Sequence, residues 1–259
     1  MLVNLGITGR RALVTGASGG MGLSIAHALA AEGVELVLFA RRLGMLQDVA
    51  SEISRQHGVI VTPHAGSMTD AGDVAGLVQR LRELGGIDIV VLVSARPPTP
   101  LRPTLEETEP ERWQQAFENQ LASVVGLVNG VAPLMRERGW GRLIAITSAH
   151  AKQPVEGHAL STVFRAGVTA YLKGLATALG PDMITVNCVA PALIETPHRA
   201  GAAAYTPEQE QRRSGLSPLG RMGTQEEACA VVTFLASRQA GFVTGATVVV
   251  DGGMTSSLF

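Results

Sequence analysis

The chain has 259 residues, a formal net charge of −1 and a pI near 6.6, a composition that favours one α/β domain and gives no support for nucleic-acid binding. Hydrophobic residues make up 46% of the chain and aromatic residues only 4%, and such small aliphatic content suits parallel strands covered by helices. The apolar runs are too short to span a bilayer and residues 1–9 lack the pattern of a signal peptide, so we expect a cytoplasmic protein without membrane contact.

Short apolar runs alternate with amphipathic segments along the chain. Seven runs are predicted as strands: Ala12–Thr15, Glu35–Ala40, Val59–Thr62, Ile87–Val93, Leu143–Thr147, Ile184–Val189 and Thr247–Val250. Apolar residues recur at helical spacing between them, and the longest helical pattern runs from Pro110 to Arg138. This alternation predicts a doubly wound, seven-stranded parallel sheet of the Rossmann type, with residues 1–259 in a single domain.

Two segments interrupt the alternation. The segment Arg96–Pro110 is rich in Pro and Thr and is predicted as a loop. The segment Thr196–Pro218 is mostly polar and small, and it carries Arg212 and Arg213. Because both follow predicted strand ends, where open α/β sheets bind ligands, we expect 196–218 to form a substrate lid.

A glycine-rich turn, Thr15–Gly22, follows the first predicted strand and leads into a helix. Glycine permits positive φ and lets backbone N–H groups approach a pyrophosphate at the positive end of the helix dipole. A glycine-rich string alone is weak evidence, but its strand–turn–helix context indicates a dinucleotide site. The predicted contact residues here are Gly16, Ser18, Gly20, Met21 and Gly22.

The end of the second predicted strand distinguishes the two nicotinamide cofactors. A carboxylate at this position would bind the ribose 2′-OH of NAD, but the sequence has Phe39-Ala40-Arg41-Arg42 instead. Two guanidinium groups suit a 2′-phosphate, which they bind bidentately. We therefore predict NADP(H) as the cofactor, bound by Arg41 and Arg42.

Further motifs carry a family resemblance. Besides the glycine-rich turn these are Asn119 six residues after Trp113, Ser148 at the end of the fifth strand, and the segments 186–191, 218–221, 234–237, 244–245 and 251–253. On these motifs the chain resembles the classical short-chain dehydrogenase/reductase family over essentially its whole length. The resemblance implies hydride transfer with a nicotinamide cofactor and a homotetramer or homodimer. It also implies cofactor contacts at Ser67, Met68, Ser94, Arg165, Pro191, Ile194 and Thr196.

The departures from the family pattern fall on chemically important positions. The family's Asp after the third strand appears as Ser67, its Asn-Asn-Ala-Gly as Leu92–Ala95, and the Gly after Pro191 as Ala192. The family's catalytic Tyr and Lys stand thirteen and seventeen residues after the Ser. By that spacing their counterparts here are Ser161 and Arg165.

The replaced residues change what the centre is able to do. A serine hydroxyl is a far weaker acid than tyrosine, so Ser161 is a poor general acid. Arg165 keeps its positive charge and is suited to ribose hydroxyls or a developing oxyanion. In a branch of the family that reduces 2,4-dienoyl-CoA, the working Tyr lies eleven residues before a Ser at this position, and here that spacing gives His150. The predicted catalytic residues are Ser148, Ser161, Arg165, Asn119 and His150.

Three interpretations of this centre remain open. The protein reduces a carbonyl with another proton source, reduces an activated C=C bond, or binds the dinucleotide as a pseudoenzyme with a regulatory role. A fourth, a halohydrin dehalogenase, is disfavoured because those relatives lose the cofactor loop and keep the Tyr. We expect the substrate to be a small molecule, and thioesters are among the candidate substrates. The only cysteines, Cys188 and Cys229, are far apart, and we expect reduced thiols and no metal site.

Overall fold

A computed structural model describes residues 4–195 and 206–258. Seven parallel strands form one sheet in the order β3-β2-β1-β4-β5-β6-β7. The strands are β1 Arg11–Thr15, β2 Glu35–Ala40, β3 Val61–Ala65, β4 Ile89–Val93, β5 Gly141–Ile146, β6 Ile184–Pro191 and β7 Thr247–Val250. This arrangement confirms the predicted fold class. The strand order reverses between β1 and β4, so a ligand crevice is expected at the carboxyl ends of these two strands.

Eight α-helices lie within the described ranges. They are α1 Gly20–Ala31, α2 Leu43–His57, α3 Ala71–Glu83, α4 Pro110–Phe117, α5 Ser123–Arg136, α6 Ala159–Leu179, α7 Pro207–Ser214 and α8 Gln225–Ala236. None of these helices is long and apolar enough to cross a membrane.

The predicted helix Pro110–Arg138 is interrupted in the structure. A π-helical segment, Glu118–Ala122, separates α4 from α5. Such π-bulges occur frequently at functional sites, and this one contains Asn119. Apolar spacing did not reveal it because the pattern continues through both helices.

Five of the seven strands differ from the prediction at one end or both, and β1, β4 and β5 differ by only one or two residues. β3 begins two residues later than expected and extends through Pro63. Proline is tolerated there because β3 is an edge strand that pairs only with β2. β6 extends to Pro191 because its last residues pair with β7, where Pro191 lies opposite Val250. The extension carries β6 further toward the carboxyl edge of the sheet.

The core lies on both faces of the sheet. Alternating strand residues point to opposite faces, so Val14 packs in the cluster beneath α1 and α8 while Leu13 packs in the cluster beneath α3, α5 and α6. A small third cluster of Ala149, Ala192 and Leu193 lies among the loops that follow β5 and β6. The core thus fixes the strand ends on which the candidate site is built.

Candidate functional site

The predicted site residues lie along the carboxyl edge of the sheet. Thr15 pairs with Phe39, so the glycine-rich turn and Arg41 leave neighbouring strands at the same level. Ser94 follows β4, Ser148 follows β5 by two residues, and Pro191 ends β6. Adjacent strands are about 4.8 Å apart, so the sheet brings these positions to one continuous edge.

The turn after β1 has room only for glycine at two positions. Gly16 has φ +62°, and a Cβ there would lie 3.1 Å from the Val93 carbonyl oxygen. A Cβ on Gly22 would lie 2.4 Å from the Gly16 carbonyl oxygen. The buried Thr15 hydroxyl bonds both the N–H and the carbonyl oxygen of Val93, at 2.7 and 3.1 Å. Close backbone packing therefore fixes the shape of the turn.

The outer side of the same turn is open. A Cβ on Gly19 or Gly20 would meet no atom within 4 Å. Gly19 is the N-cap of α1 and supplies no side-chain hydrogen bond, whereas α3 and α8 are capped by Asp70 and Thr224. The first N–H groups of α1 thus lack the side-chain acceptor that satisfies other helices of this protein. An open cradle at the positive end of a helix fits the pyrophosphate of a dinucleotide.

The ends of β2 and β3 lie beside this cradle. Arg41 and Arg42 are exposed, and neither forms an ion pair with another described residue. The Ser67 N–H donates to the Asp73 carboxylate at 2.8 Å, so a carboxylate from α3 orders the loop that contains Ser67. Met68 packs against the core cluster beneath α3 and α5. The two guanidinium groups fit a 2′-phosphate.

Three of the predicted catalytic residues meet at the end of β5. The Arg165 guanidinium donates to the carbonyl oxygens of Ile146 and Thr147 at 2.9 and 2.7 Å, and these residues directly precede Ser148. The Ser148 hydroxyl accepts a hydrogen bond from the backbone N–H of His150 at 3.2 Å. Arg165 is thereby fixed against the end of β5 even though it belongs to α6.

The other two predicted catalytic residues are placed differently. Asn119 is half-buried in the π-helical segment, where its carbonyl oxygen accepts from the Ser123 hydroxyl at 2.9 Å. Ser161 is buried in the first turn of α6 and borders a small cavity near Glu107 and Arg112. Its short side chain makes no hydrogen bond to the other four catalytic candidates in the described structure.

The charges around this centre are positive. Burial lowers the pKa of Arg165 to about 10, and the Arg96 charge contributes to the shift. Burial also lowers the pKa of His150 to about 4, with added effects from the nearby charges of His158, Arg213 and Arg165. The pKa of His158 falls for the same reasons, burial first and then Arg213. Both imidazoles are therefore neutral at pH 7, while Arg165 stays charged.

Two residues of this centre were not singled out as functional by sequence reasoning. The ring of His158 contacts that of His150 with centroids 4.5 Å apart. Arg213, which lies in the predicted lid, is only partly exposed, and its charge contributes to the lowered pKa of both imidazoles. No local pattern marks either residue, because loop folding and the position of α7 bring them together.

The remaining predicted positions divide between the loop after β6 and the lid. Ile194 forms a bridge with Gly223, and Leu193 has φ +53°, an uncommon conformation for a branched residue. Thr196 lies outside the described residues, as does the part of the predicted lid from 196 to 205. The lid residues that follow include α7, which begins at a capping box formed by Thr206 and Gln209.

Comparison with known proteins places these features in a family. The family model described as enoyl-(acyl carrier protein) reductase matches residues 16–255. Nodulation protein G of Rhizobium sp. (strain N33) is 33% identical over 96% of this chain and 98% of its own length. The 3-oxoacyl-[acyl-carrier-protein] reductase of Escherichia coli (strain K12) is 32% identical over 95% of this chain and 97% of its own. The solved structure of L-sorbose reductase from Gluconobacter frateurii, complexed with NADPH and L-sorbose, is 32% identical, has a TM-score of 0.90, and matches over 99% of this chain and 100% of its own.

Proposed function

This chain belongs to the short-chain dehydrogenase/reductase family, and on that premise we propose that it is an NADPH-dependent reductase of a carbonyl or an activated C=C bond with a non-classical centre. One observation carries the proposal: the open glycine cradle at α1 lies beside the exposed Arg41 and Arg42, with no carboxylate at the end of β2. NADPH occupies a relative with the same fold.

The residues at the carboxyl edge of the sheet would hold successive parts of the cofactor. The amides of Gly16–Gly22, with the Ser18 hydroxyl, would bind the pyrophosphate, and Arg41 and Arg42 would bind the 2′-phosphate. Ser67 and Met68 would flank the adenine. The nicotinamide end would lie along Ser94, Arg165, Pro191, Ile194 and Thr196. When bound, the cofactor supplies a hydride.

The side chains after β5 would stabilise the charge that hydride addition creates on the substrate. In both substrate classes this charge develops on an oxygen, either of the carbonyl itself or of the group conjugated to the alkene. Arg165 is fixed by two backbone carbonyl oxygens and stays cationic, so it offers a pre-oriented charge at the end of β5, next to the backbone that leads to Ser148. Ser161 stands where the family has its Tyr, and Asn119 would contribute from the π-helical segment.

The proton donors available at this centre suit reduction of an activated C=C bond better than reduction of a ketone. A serine replaces the usual acid, and His150 is neutral at pH 7, so the centre offers hydrogen-bond donors rather than a strong acid. An alkoxide formed from a ketone is strongly basic and needs a matched proton donor. An enolate spreads its charge over oxygen and carbon, so hydrogen-bond donors would stabilise it until the ring N–H of His150, or a water bound to it, returns a proton to carbon.

Absorbance of the reduced nicotinamide tests this proposal directly. Purified protein and NADPH are incubated with one panel of ketones and one panel of enones and enoyl thioesters. We expect turnover on the second panel, while turnover on ketones alone would contradict the preference for alkenes. Calorimetric binding of NADPH without turnover on either panel would instead indicate a dinucleotide-binding pseudoenzyme.

The role of His150 has its own matched test. His150→Gln should reduce turnover about 100-fold while NADPH affinity stays constant, because a general acid–base residue typically contributes about 10²–10⁴-fold. Lys152→Gln changes a neighbouring side chain on the same loop and should leave turnover unchanged. Equal turnover of His150→Gln and the wild type would remove His150 from the mechanism.

We also propose that the chain is a single-domain cytoplasmic protein that assembles as a homodimer or homotetramer. Its substrate is proposed to be a small molecule, and thioesters belong to the candidate class. Light scattering during size-exclusion chromatography measures the assembly directly. A mass equal to one 27.0 kDa chain at micromolar concentration would contradict it.

A further inference from the structure

Residues 148–153, here called the β5 turn, form one hydrogen-bonded unit that begins at Ser148. The backbone N–H of His150 donates to the Ser148 hydroxyl at 3.2 Å, and the backbone N–H of Gln153 donates to the Ala149 carbonyl oxygen at 3.0 Å. Because these bonds link consecutive residues of the turn, a displacement at Gln153 also displaces Ser148 and His150. Whatever holds Gln153 therefore helps to set the geometry of the candidate centre.

The far end of the β5 turn is bound by the C-terminal segment, residues 251–256. The side-chain oxygen of the half-buried Gln153 accepts from the backbone N–H and the hydroxyl of Ser256, at 2.6 and 3.1 Å. Met254 of the same segment packs against the third core cluster, which contains Ala149 of the β5 turn. One polar and one apolar contact thus join parts of the chain that are 103 positions apart, counted from Gln153 to Ser256.

The C-terminal segment is itself fixed where it leaves β7. The buried Asp251 carboxylate accepts from the N–H groups of Gly253 and Thr255, at 2.9 and 2.8 Å. The Gly252 carbonyl oxygen accepts from the buried Ser217 hydroxyl at 3.0 Å. A Cβ on Gly252, whose φ is +62°, would collide with that hydroxyl, so the turn is wound closely against Ser217. A segment anchored at its start is able to hold the β5 turn with its far end.

The contact requires an acceptor at position 153. Both Ser256 donors converge on the same side-chain oxygen of Gln153, so its carbonyl group rather than its NH₂ group forms the contact. A carboxylate of the same length would keep this acceptor, whereas an unbranched thioether of similar length would lose it. Gln153→Glu and Gln153→Met are therefore a matched pair that separates the hydrogen bonds from the bulk of the side chain.

We propose that Gln153 is a positioning residue: through its bonds to Ser256, the C-terminal segment holds the β5 turn in the geometry that places Ser148 and His150 at the substrate. The effect on turnover rests on the proposed reductase function. The effect on the β5 turn itself does not depend on any reaction, so the two are measured separately.

Hydrogen exchange tests the effect on the turn without any substrate. Exchange of the peptide that contains residues 148–153 is followed by mass spectrometry and corrected for intrinsic rates. We expect it to be about fivefold faster in Gln153→Met, because two hydrogen bonds are lost, and close to the wild type in Gln153→Glu. Lys152→Gln alters a neighbouring side chain and should exchange as the wild type does.

Two results of the exchange experiment would overturn the proposal. One is equal exchange of the β5 turn in Gln153→Met and the wild type. The other is an equal acceleration in β1 and β4, which would show a general loss of stability rather than release of the turn.

Steady-state kinetics with NADPH and a substrate of the wild type test the effect on the reaction. Misplaced groups cost more in the transition state than in binding, so Gln153→Met should lower kcat about tenfold and change KM and NADPH affinity by less than about twofold. Gln153→Glu should restore most of kcat. Ser256→Ala removes one of the two donors and should cause a smaller loss, and adding it to Gln153→Met should cause no further loss.

The kinetic outcomes distinguish the two proposals. A rise in KM at constant kcat, or additive losses in the double variant, would overturn the role of Gln153. If the wild type turns over no substrate while exchange of the β5 turn is faster in Gln153→Met alone, only the reductase proposal is contradicted, and the result supports the holding of the turn by the C-terminal segment.

Discussion

Close backbone packing shapes the β1–α1 connection, whereas side chains and backbone groups from several segments meet at the β5–α6 connection. The first depends on Gly16 and Gly22, which are six residues apart in the chain. In the second, Arg165 of α6 is hydrogen-bonded to the backbone that precedes Ser148, and the charge of Arg213 on α7 contributes to the lowered pKa of His150. A cofactor cradle is thus a local structure, while the chemical centre depends on packing of distant elements. Substitutions at the two connections should therefore fail in different ways.

The largest expected effect is at Gly22. A methyl group there would collide with the Gly16 carbonyl oxygen, and this cost outweighs the gain of about 1 kcal/mol that alanine usually brings to a helix. We expect Gly22→Ala to lower the free energy of unfolding by about 2 kcal/mol and to weaken NADPH binding at least about tenfold, measured by denaturant titration and calorimetry.

The matched control is Gly19→Ala, at the same turn. Its methyl group meets no atom within 4 Å and its extended backbone is open to any residue, so stability should change by less than about 0.5 kcal/mol. NADPH affinity should still fall, because the methyl group enters the cradle. Wild-type affinity in Gly19→Ala would show that the cradle does not hold the cofactor.

Arg165 should give the opposite pattern, with catalysis affected more than cofactor binding. Replacing it by Met removes the cation beside Ser148 and leaves the Ile146 and Thr147 carbonyl oxygens without this donor. We expect kcat to fall about 10²–10³-fold, as for loss of an oxyanion-stabilising donor. NADPH affinity should fall by less than about tenfold. Steady-state kinetics and calorimetry on the same preparation measure both, and a loss confined to NADPH affinity would contradict the catalytic role.

A smaller effect is expected for the preference between NADPH and NADH, which we assign to the residues after β2. Arg41→Ala should lower the ratio of NADPH to NADH affinity about 10- to 100-fold, because a charge-assisted contact to the 2′-phosphate is lost. Arg55→Ala removes an equal charge from the end of α2 and should leave the ratio unchanged. An unaltered ratio in Arg41→Ala would show that NADPH is not selected at this position.

The smallest effect is a pH dependence of stability at the second connection. Because the folded pKa of His150 is about 4, the unfolded chain binds more protons than the folded chain between about pH 6.5 and 4. Stability therefore falls as the pH drops through this range. Solvent screens part of the shift at this partly exposed ring, so the wild type should lose about 1 kcal/mol more than His150→Gln between pH 7 and pH 5. Lys152→Gln should retain the wild-type loss in denaturant titrations, and equal losses in the wild type and His150→Gln would argue against a buried neutral imidazole.

The sequence by itself determined the alternation of strands and helices and the glycine-rich turn, because these features repeat at short spacing. It also marked the absence of a carboxylate after Phe39 and the presence of Ser161 and Arg165 on one side of a helix. Its errors were local: the bounds of five strands were wrong by one to three residues, and the π-helical segment at Asn119 was not predicted.

Only the tertiary structure decided what surrounds the chemical centre. The anchoring of Arg165 on β5, the ring contact of His150 with His158 and the approach of Arg213 join residues up to 63 positions apart, counted from His150 to Arg213. Their burial and mutual charge depend on which elements pack together, and no local pattern in a chain encodes that. The backbone cradle is formed by residues that are close in sequence and is therefore visible in it. The electrostatic environment of the pocket is produced by distant residues that come together only on folding.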